Sequence, residues 1–308
     1  MSEHVPEQGS PSAQDSAVYL IDASVYIFRA YFSLPDSLTN AAGEPINAVH
    51  GFAGFLHGFL TQTQASQVAV AFDESLTSSF RNEIYADYKA NREPAPEDLK
   101  RQFVTCKALA KALGLYTCSS DRYEADDLIA TLATRAHTAE QPVVIVSRDK
   151  DLAQLLTERD RLWDFAGDVW MDVAAVTAKF GVPPAQMLDY QALVGDAVDN
   201  IPGVKGIGPK AAVALLAHFG DLDSLLARLE EVAALPIRGA KRLQTLLTEG
   251  REMALMSREL CRMVQDIDMG KVDLARQPTN ADEFSKTLES LGLGPGLTQR
   301  LIGVLTPP

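Results

Sequence analysis

The sequence predicts an α/β fold with a mostly parallel sheet flanked by helices, followed by an all-helical domain. Three observations lead there. Residues 18–21, 68–72 and 143–146 are short apolar runs without polar alternation, the pattern of strands covered on both faces. Stretches of helical periodicity separate these runs, and such alternation implies right-handed crossovers. From about Pro183 the strand signals stop and only helical spacing remains.

Taken in order, residues 1–17 are rich in Ser, Gln, Glu and Pro, lack a leader pattern, and predict a disordered tail. The strand at 18–21 leads into a helix carrying Tyr26, Ile27, Ala30 and Tyr31, and a second helix covers about 47–63. The strand at 68–72 opens onto an irregular charged stretch from Glu74 to Pro96. Leu99, Phe103, Cys106, Ala110 and Leu113 recur at spacings of four and three, predicting a helix that Gly114 terminates. A short strand at 115–118, a helix from Glu124 and the strand at 143–146 complete the pattern. The expected domains are therefore 18–182 (α/β) and 183–290 (helical), with a C-terminal tail at 291–308.

With 46% hydrophobic residues the chain can bury an ordinary core. A net charge of −13 argues at first against nucleic acid, yet nine of the 41 acidic residues fall in five short groups that suit cations. Cys106, Cys118 and Cys261 have neither disulfide nor zinc spacing, which suits a reducing cytoplasm. No apolar run approaches the ~18 residues of a membrane span.

Asp22 and Asp73 follow the first two strands, Asp149 and Asp151 follow the strand at 143–146, and Glu124, Asp126 and Asp127 open a helix. Asp196 and Asp199 lie beside a glycine-rich hairpin. The carboxyl ends of parallel strands form the ligand-binding edge, and so many negative charges on one edge require neutralisation. Each cluster alone has a plainer reading: Asp22 as a helix cap, the 124–127 acids as favourable first-turn charges, the others as turn formers. Their coincidence points to a divalent-metal site acting on phosphate. With no nearby His or Cys, oxygen donors select Mg²⁺ or Mn²⁺ over zinc.

Gly203, Val204, Lys205, Gly206, Ile207, Gly208 and Lys210 precede an apolar helix over about 211–219. Glycines there let backbone N–H groups approach an anion, and the two lysines add charge; the plainer reading is a tight interhelical turn. The motif favours a helix–hairpin–helix clamp on a DNA backbone, which positions a duplex without reading its sequence. Between Ser79 and Lys111 seven basic residues face five acidic ones, with Phe80, Tyr85 and Tyr88 interleaved among Arg81, Lys89 and Arg92. That is the composition of a single-strand stacking surface; the alternative is a solvated loop with Tyr85 and Tyr88 packed inward. Residues 235–262 hold six basic residues against three acidic ones, a second backbone-contact candidate.

Leu20-Ile-Asp22, Leu38-Thr-Asn-Ala-Ala-Gly-Glu-Pro45, Ala71-Phe-Asp73, Tyr88-Lys-Ala-Asn-Arg92, Glu124-Ala-Asp-Asp127, Asp149-Lys-Asp151, Gly195-Asp-Ala-Val-Asp-Asn-Ile-Pro-Gly203 and Arg238-Gly-Ala-Lys241 together resemble the 5′-nuclease (flap endonuclease/5′-3′ exonuclease) family. The likeness is strongest to the N-terminal nuclease domain of bacterial family-A DNA polymerases. It implies a PIN-like sheet, a helical arch at about 74–111 and a helix–three-turn–helix module. The nine acids would then surround two Mg²⁺ or Mn²⁺ ions, with Asp126 catalytic. Arg29 and Lys89 would stabilise the scissile phosphate; Arg81, Tyr88, Lys89 and Arg92 would meet single strand on the arch. The 203–208 hairpin, Lys210, Arg238 and Lys241 would hold duplex, with a potassium ion at the hairpin. Arg148 stands where the family usually has a small residue, and His50 replaces a common aromatic.

The resemblance implies a structure-specific 5′ nuclease cutting 5′ flaps and 5′ ends at single-strand/double-strand junctions of DNA, with RNA primers among its substrates. It would serve replication and repair in the cytoplasm, at the bacterial nucleoid, as a monomer. Because no polymerase segment follows Pro308, a free-standing nuclease beside a separate DNA polymerase is expected. The rival readings are a non-catalytic junction-binding protein and a PIN-type ribonuclease.

Overall fold

The computed structural model describes residues 17–74 and 79–305. Six strands form one sheet in the order β3-β2-β1-β4-β5-β6. They are β1 (Val18–Asp22), β2 (Val68–Asp73), β3 (Tyr116–Ser120), β4 (Val143–Val146), β5 (Arg161–Asp164) and β6 (Val169–Met171). All neighbours pair in parallel except the β5–β6 hairpin at one edge. Sequence reading missed β5 and β6 because they are short, and charged or exposed at their ends.

Strand residues alternate between two apolar layers, as pleating requires. Tyr19, Ile21, Val70 and Phe72 face one layer with α1 (Ala23–Ser33), α2 (Asn47–Thr63) and, beyond the four-residue α3 (Arg81–Ile84), α4 (Glu97–Ala112). Val18, Leu20, Ala69 and Ala71 face the other, covered by α5 (Ala125–Thr138). Phe52, Leu56, Phe59 and Leu60 recur at helical spacing along α2, so one stripe of that helix is wholly or almost wholly buried. Gly114, at φ +75°, closes α4, where an added Cβ would lie 2.0 Å from the Gln277 carbonyl oxygen.

The second layer continues into the helical domain. α6 (Val173–Phe180) closes the α/β part, and the helical domain comprises α7 (Pro184–Val194), α8 (Pro209–Phe219), α9 (Leu222–Ala227), α10 (Ala240–Glu249) and α11 (Arg251–Cys261). Leu215, Leu222 and Leu247 share one apolar cluster with Leu128 and Leu132 of α5, so no solvent layer divides the two parts.

After α11, residues 262–280 run along α5 as a strap. Thr131 donates to the Val264 carbonyl at 3.2 Å, and Arg135 donates to the Ile267 carbonyl at 3.2 Å. The strap ends at the start of β2, where the Val68 amide donates to Leu274 and the Arg276 amide donates to Ser66. Two further helices, α12 (Ala281–Ser290) and α13 (Pro295–Ile302), return to the α/β core. The C-terminal tail expected at 291–308 is thus corrected for most of its length. Leu297, Leu301 and Leu305 are buried in the same cluster as α2, because their four-residue spacing gives an apolar stripe. Of the expected N-terminal tail only Ala17 lies within the described residues, and it is buried.

Candidate active site

Strand order reverses beside β1: β2 and β3 lie to one side, β4 and β5 to the other. The carboxyl ends of β1 and β4 therefore flank the crevice where such sheets bind ligands. Asp22 ends β1 at 5% exposure and accepts a 2.9 Å hydrogen bond from Ser147, the residue that follows β4. Asp73 ends β2; it accepts from the Ser24 hydroxyl at 2.6 Å and the Ala125 amide at 2.9 Å. The second bond fixes the start of α5 against the sheet edge.

Burial and the charge of Asp73 push the Asp22 carboxyl up to about 7, with Asp149 adding to the rise and the Ser147 bond opposing it. Asp126, in the first turn of α5, is driven well above the carboxylate range by burial and by Asp149 and Asp22. Asp151 is pushed up to about 6 by burial and Asp149. Acids from β1, β2, α5 and the turn after β4 thus feel one another, as groups on one edge must.

The remaining acids are held by the protein's own cations. Lys150 binds both Asp151, at 3.0 Å, and Asp196. Burial alone would raise Asp196, but Lys150 outweighs it and holds the carboxyl below its ordinary value. Lys89 lies 3.0 Å from Glu124 and 3.7 Å from Asp199, and Arg92 also binds Asp199. Glu124 would likewise be raised by burial; Lys89 and Arg81 reverse the sign.

Oxygen-only donors with unrelieved mutual repulsion fit a hard divalent cation by chemistry and charge. Among the described residues no three His, Cys, Asp or Glu side chains already converge on one point. Several of the carboxylates are instead turned towards Lys89, Arg92 and Lys150.

Asp127 departs from the expected ligand set. It is fully buried, and Arg81 grips both its oxygens, at 2.8 and 2.7 Å. The amides of Glu124 and Val264 complete its shell at 3.1 and 2.9 Å. Arg81 in turn donates to the carbonyls of Leu260 and Arg262, and at 3% exposure it has no face left for DNA. The pair is an internal tie between the arch segment, α5 and the strap.

Tyr88 is also corrected as a stacking surface. It is 4% exposed, packs with Ile201 and Leu260, and donates to Glu124 at 3.1 Å. The inward-packed alternative prevails because residues 87–92 fold down onto the 197–200 loop. The Lys89 amide donates to the Asp199 carbonyl, Asn91 to Ala197, and Asn200 to Asp87. Lys89 adopts φ +55° in this closure. Residues 75–78 of the expected arch lie outside the described residues.

In the hairpin, Val204 and Ile207 are buried anchors in the helical-domain core rather than contacts, while Lys205, Gly206, Gly208 and Lys210 are exposed. Asp196 and Ile201 exchange backbone hydrogen bonds of 2.9 and 2.7 Å, which closes the turn. Gly203 sits at φ +59°, and a Cβ there would meet the Gly195 nitrogen at 2.4 Å. Arg238 and Lys241 are exposed around the N-terminus of α10.

Arg29 and Arg148 line one open pocket of about 450 Å³ with Phe28 and Phe32. Both arginines are exposed, and neither forms an ion pair among the described residues. Sequence reading did not join these two, nor find Ser24, Ser147 or Gln191, which donates to Asp151 at 2.5 Å. Lys150, flanked by aspartates, was the one such group with a visible signal.

Residues 17–181 match the model of the 5'-3' exonuclease N-terminal resolvase-like domain, and residues 182–282 match the 5'-3' exonuclease C-terminal SAM fold. A 5'-3' exonuclease of Buchnera aphidicola is 31% identical over 255 residues, covering 82% of this chain and 88% of that protein. DNA polymerase I of Rhizobium leguminosarum is 40% identical over 284 residues, covering 88% of this chain but only 27% of the polymerase. Of solved structures, T5 5'-exonuclease with bound zinc aligns with a TM-score of 0.65 at 20% identity, covering 94% of this chain and 98% of that one. The catalytic core of Rad2 in complex with a DNA substrate aligns at 0.63 and 15% identity, covering 96% and 93%. At those identities the two structures establish the fold alone. With both domain models matched in order and a relative aligned over most of its length, the chain belongs to the 5'-3' exonuclease family.

Proposed function

We propose that the protein is a divalent-cation-dependent 5′ nuclease that hydrolyses phosphodiesters at 5′ ends and 5′ flaps, in replication and repair. The observation that carries this reading is the repulsion between Asp22, Asp126 and Asp149 at the reversal point of the sheet, beside a pocket lined by two exposed arginines, Arg29 and Arg148. A structural edge does not need that repulsion, whereas a cation site uses it.

Asp22, Asp73, Asp126 and Asp149 would hold one cation, and Asp151, Asp196 and Asp199 a second, with Glu124 beside the first. Two bound Mg²⁺ ions would neutralise this edge and supply an activated water for in-line attack. Arg29 and Arg148 would take the phosphate next to the scissile bond, and Phe28 and Phe32 the adjoining base. Lys89 stands beside the acids, poised to stabilise charge on the phosphate. Lys205 and Lys210, with the hairpin amides, would grip duplex backbone.

The test is a 5′-labelled flap incubated with Mg²⁺, Mn²⁺ or EDTA. Release of a short labelled fragment only with metal is expected, and Asp126→Asn should bind the flap without cutting it. Binding without any metal-dependent cleavage would favour the junction-binding alternative. Preferential cleavage of single-stranded RNA would favour the ribonuclease.

A further inference from the structure

A second concentration of positive charge lies at the opposite edge of the sheet. Arg276, at the end of the strap, is 6% exposed, and its Nε and Nη2 atoms have no hydrogen-bond partner among the described residues. Leaving two donors of a buried guanidinium unmade is costly, so its position calls for an acceptor. The backbone around it is fixed rather than loose. Its amide donates to Ser66 at 2.8 Å, the Gln277 amide donates to Gly114 at 2.8 Å, and Ala275 bridges Gln67.

The side chain lines a cavity of about 420 Å³ together with His57, Leu60, Gln64, Arg300 and Val304. No carboxylate lines it, and Arg300 forms no ion pair among the described residues. The carbonyl end of α2 favours a cation nearby, but the Thr61 hydroxyl already satisfies the His57 carbonyl, and no α2 carbonyl accepts from Arg276. Ser66 and Gln67 precede β2, whereas Asp73 ends it, so the cavity lies roughly 20 Å from the carboxylates along the strand.

We propose that this cavity binds a phosphate dianion, either free or as the monoester group of a nucleotide, between Arg276 and Arg300. Guanidinium forks match tetrahedral oxyanions, and two of them select a dianion over chloride. Leu60 and Val304 leave an apolar wall on which the remainder of a nucleotide could lie. The occupant would pin α2, α13 and the strap together, so its binding should register as stability.

The test uses the whole chain in EDTA without DNA, which keeps it independent of cleavage and of cations at the carboxylate edge. Thermal unfolding is followed against inorganic phosphate, and separately against a nucleoside 5′-monophosphate, with sodium chloride matching ionic strength. Wild type should melt progressively higher with phosphate but not with chloride. Arg276→Gln should weaken phosphate at least about tenfold, and the rim variant Arg300→Gln should weaken it too while leaving the fold intact. Tighter binding of the monophosphate would identify a nucleotide as the ligand, and equal binding free phosphate. No phosphate-specific shift in wild type, or an undiminished shift in Arg300→Gln, would overturn the site.

Discussion

Asp126 and Asp127 are adjacent and chemically identical, yet the structure gives them opposite thermodynamic roles, and a pair of variants tests this. Asp127→Asn leaves the Arg81 guanidinium at 3% exposure with its two carboxylate bonds, 2.7 and 2.8 Å, reduced to a neutral amide contact. Removing one partner of a buried ion pair typically costs about 3–5 kcal/mol. Neither group is exposed enough for solvent to offset the loss. For a chain of this size about 2 °C of melting temperature is lost per kcal/mol, so Asp127→Asn should melt roughly 6–10 °C below wild type. Asp126→Asn should do the reverse. Burial and the charges of Asp149 and Asp22 already disfavour its ionised form, so the neutral amide should melt at or above wild type without metal. Calorimetry of both variants in EDTA at pH 8, with flap cleavage measured in parallel, separates the roles. If Asp127→Asn melts with wild type while Asp126→Asn is the destabilised one, the division is wrong.

Three further outcomes follow from the same geometry. Lys150→Met should bind Mg²⁺ or Mn²⁺ more tightly in calorimetric titration, because Asp151 and Asp196 lose the internal cation they now share; unchanged or weaker affinity would contradict this. Asp22 and Asp151 have folded-state pKa values raised from 3.8 to about 7 and about 6, so the folded protein holds their protons more tightly than the unfolded chain. Their contribution to metal-free stability should therefore fall as pH rises from about 4 to 7 and level off above, and saturating Mg²⁺ should remove much of that dependence in melts run from pH 5 to 8. Lys205→Ala and Lys210→Ala should each lower the slope of log affinity for duplex against log salt by about 0.9, with no change in melting temperature.

Much of the catalytic domain was legible because buried parallel strands write themselves as unbroken apolar runs. The strand at 143–146 is found where the sequence placed it, as is the helix at 47–63. Carboxylates after such strands could be read as one edge, since strand ends converge whatever the intervening loops do. What could not be read was the division of labour within that edge. Asp127 and Asp126 share a motif, and only the distant Arg81 and Val264 decide which carboxylate is occupied. Tyr88 and Arg81 had the composition of a nucleic-acid surface, but their burial depends on contacts with Leu260, more than 170 positions away in the chain. The returning helix α13 was taken for a tail because eight residues give too few turns for periodicity to stand out.

The strap from 262 to 280 has a mechanical consequence. Tied at one end through Asp127 and at the other to the first residues of β2, it spans the catalytic domain from one sheet edge to the other. The hairpin joins the same path, because the Gly203 amide donates to Ser257 of α11 at 3.1 Å, so hairpin and carboxylates are linked through one continuous run of backbone, like the two jaws of a caliper. A nuclease built this way would count nucleotides by fixed separation, and slackening the strap should blur the length of the fragment it releases before it slows the cut.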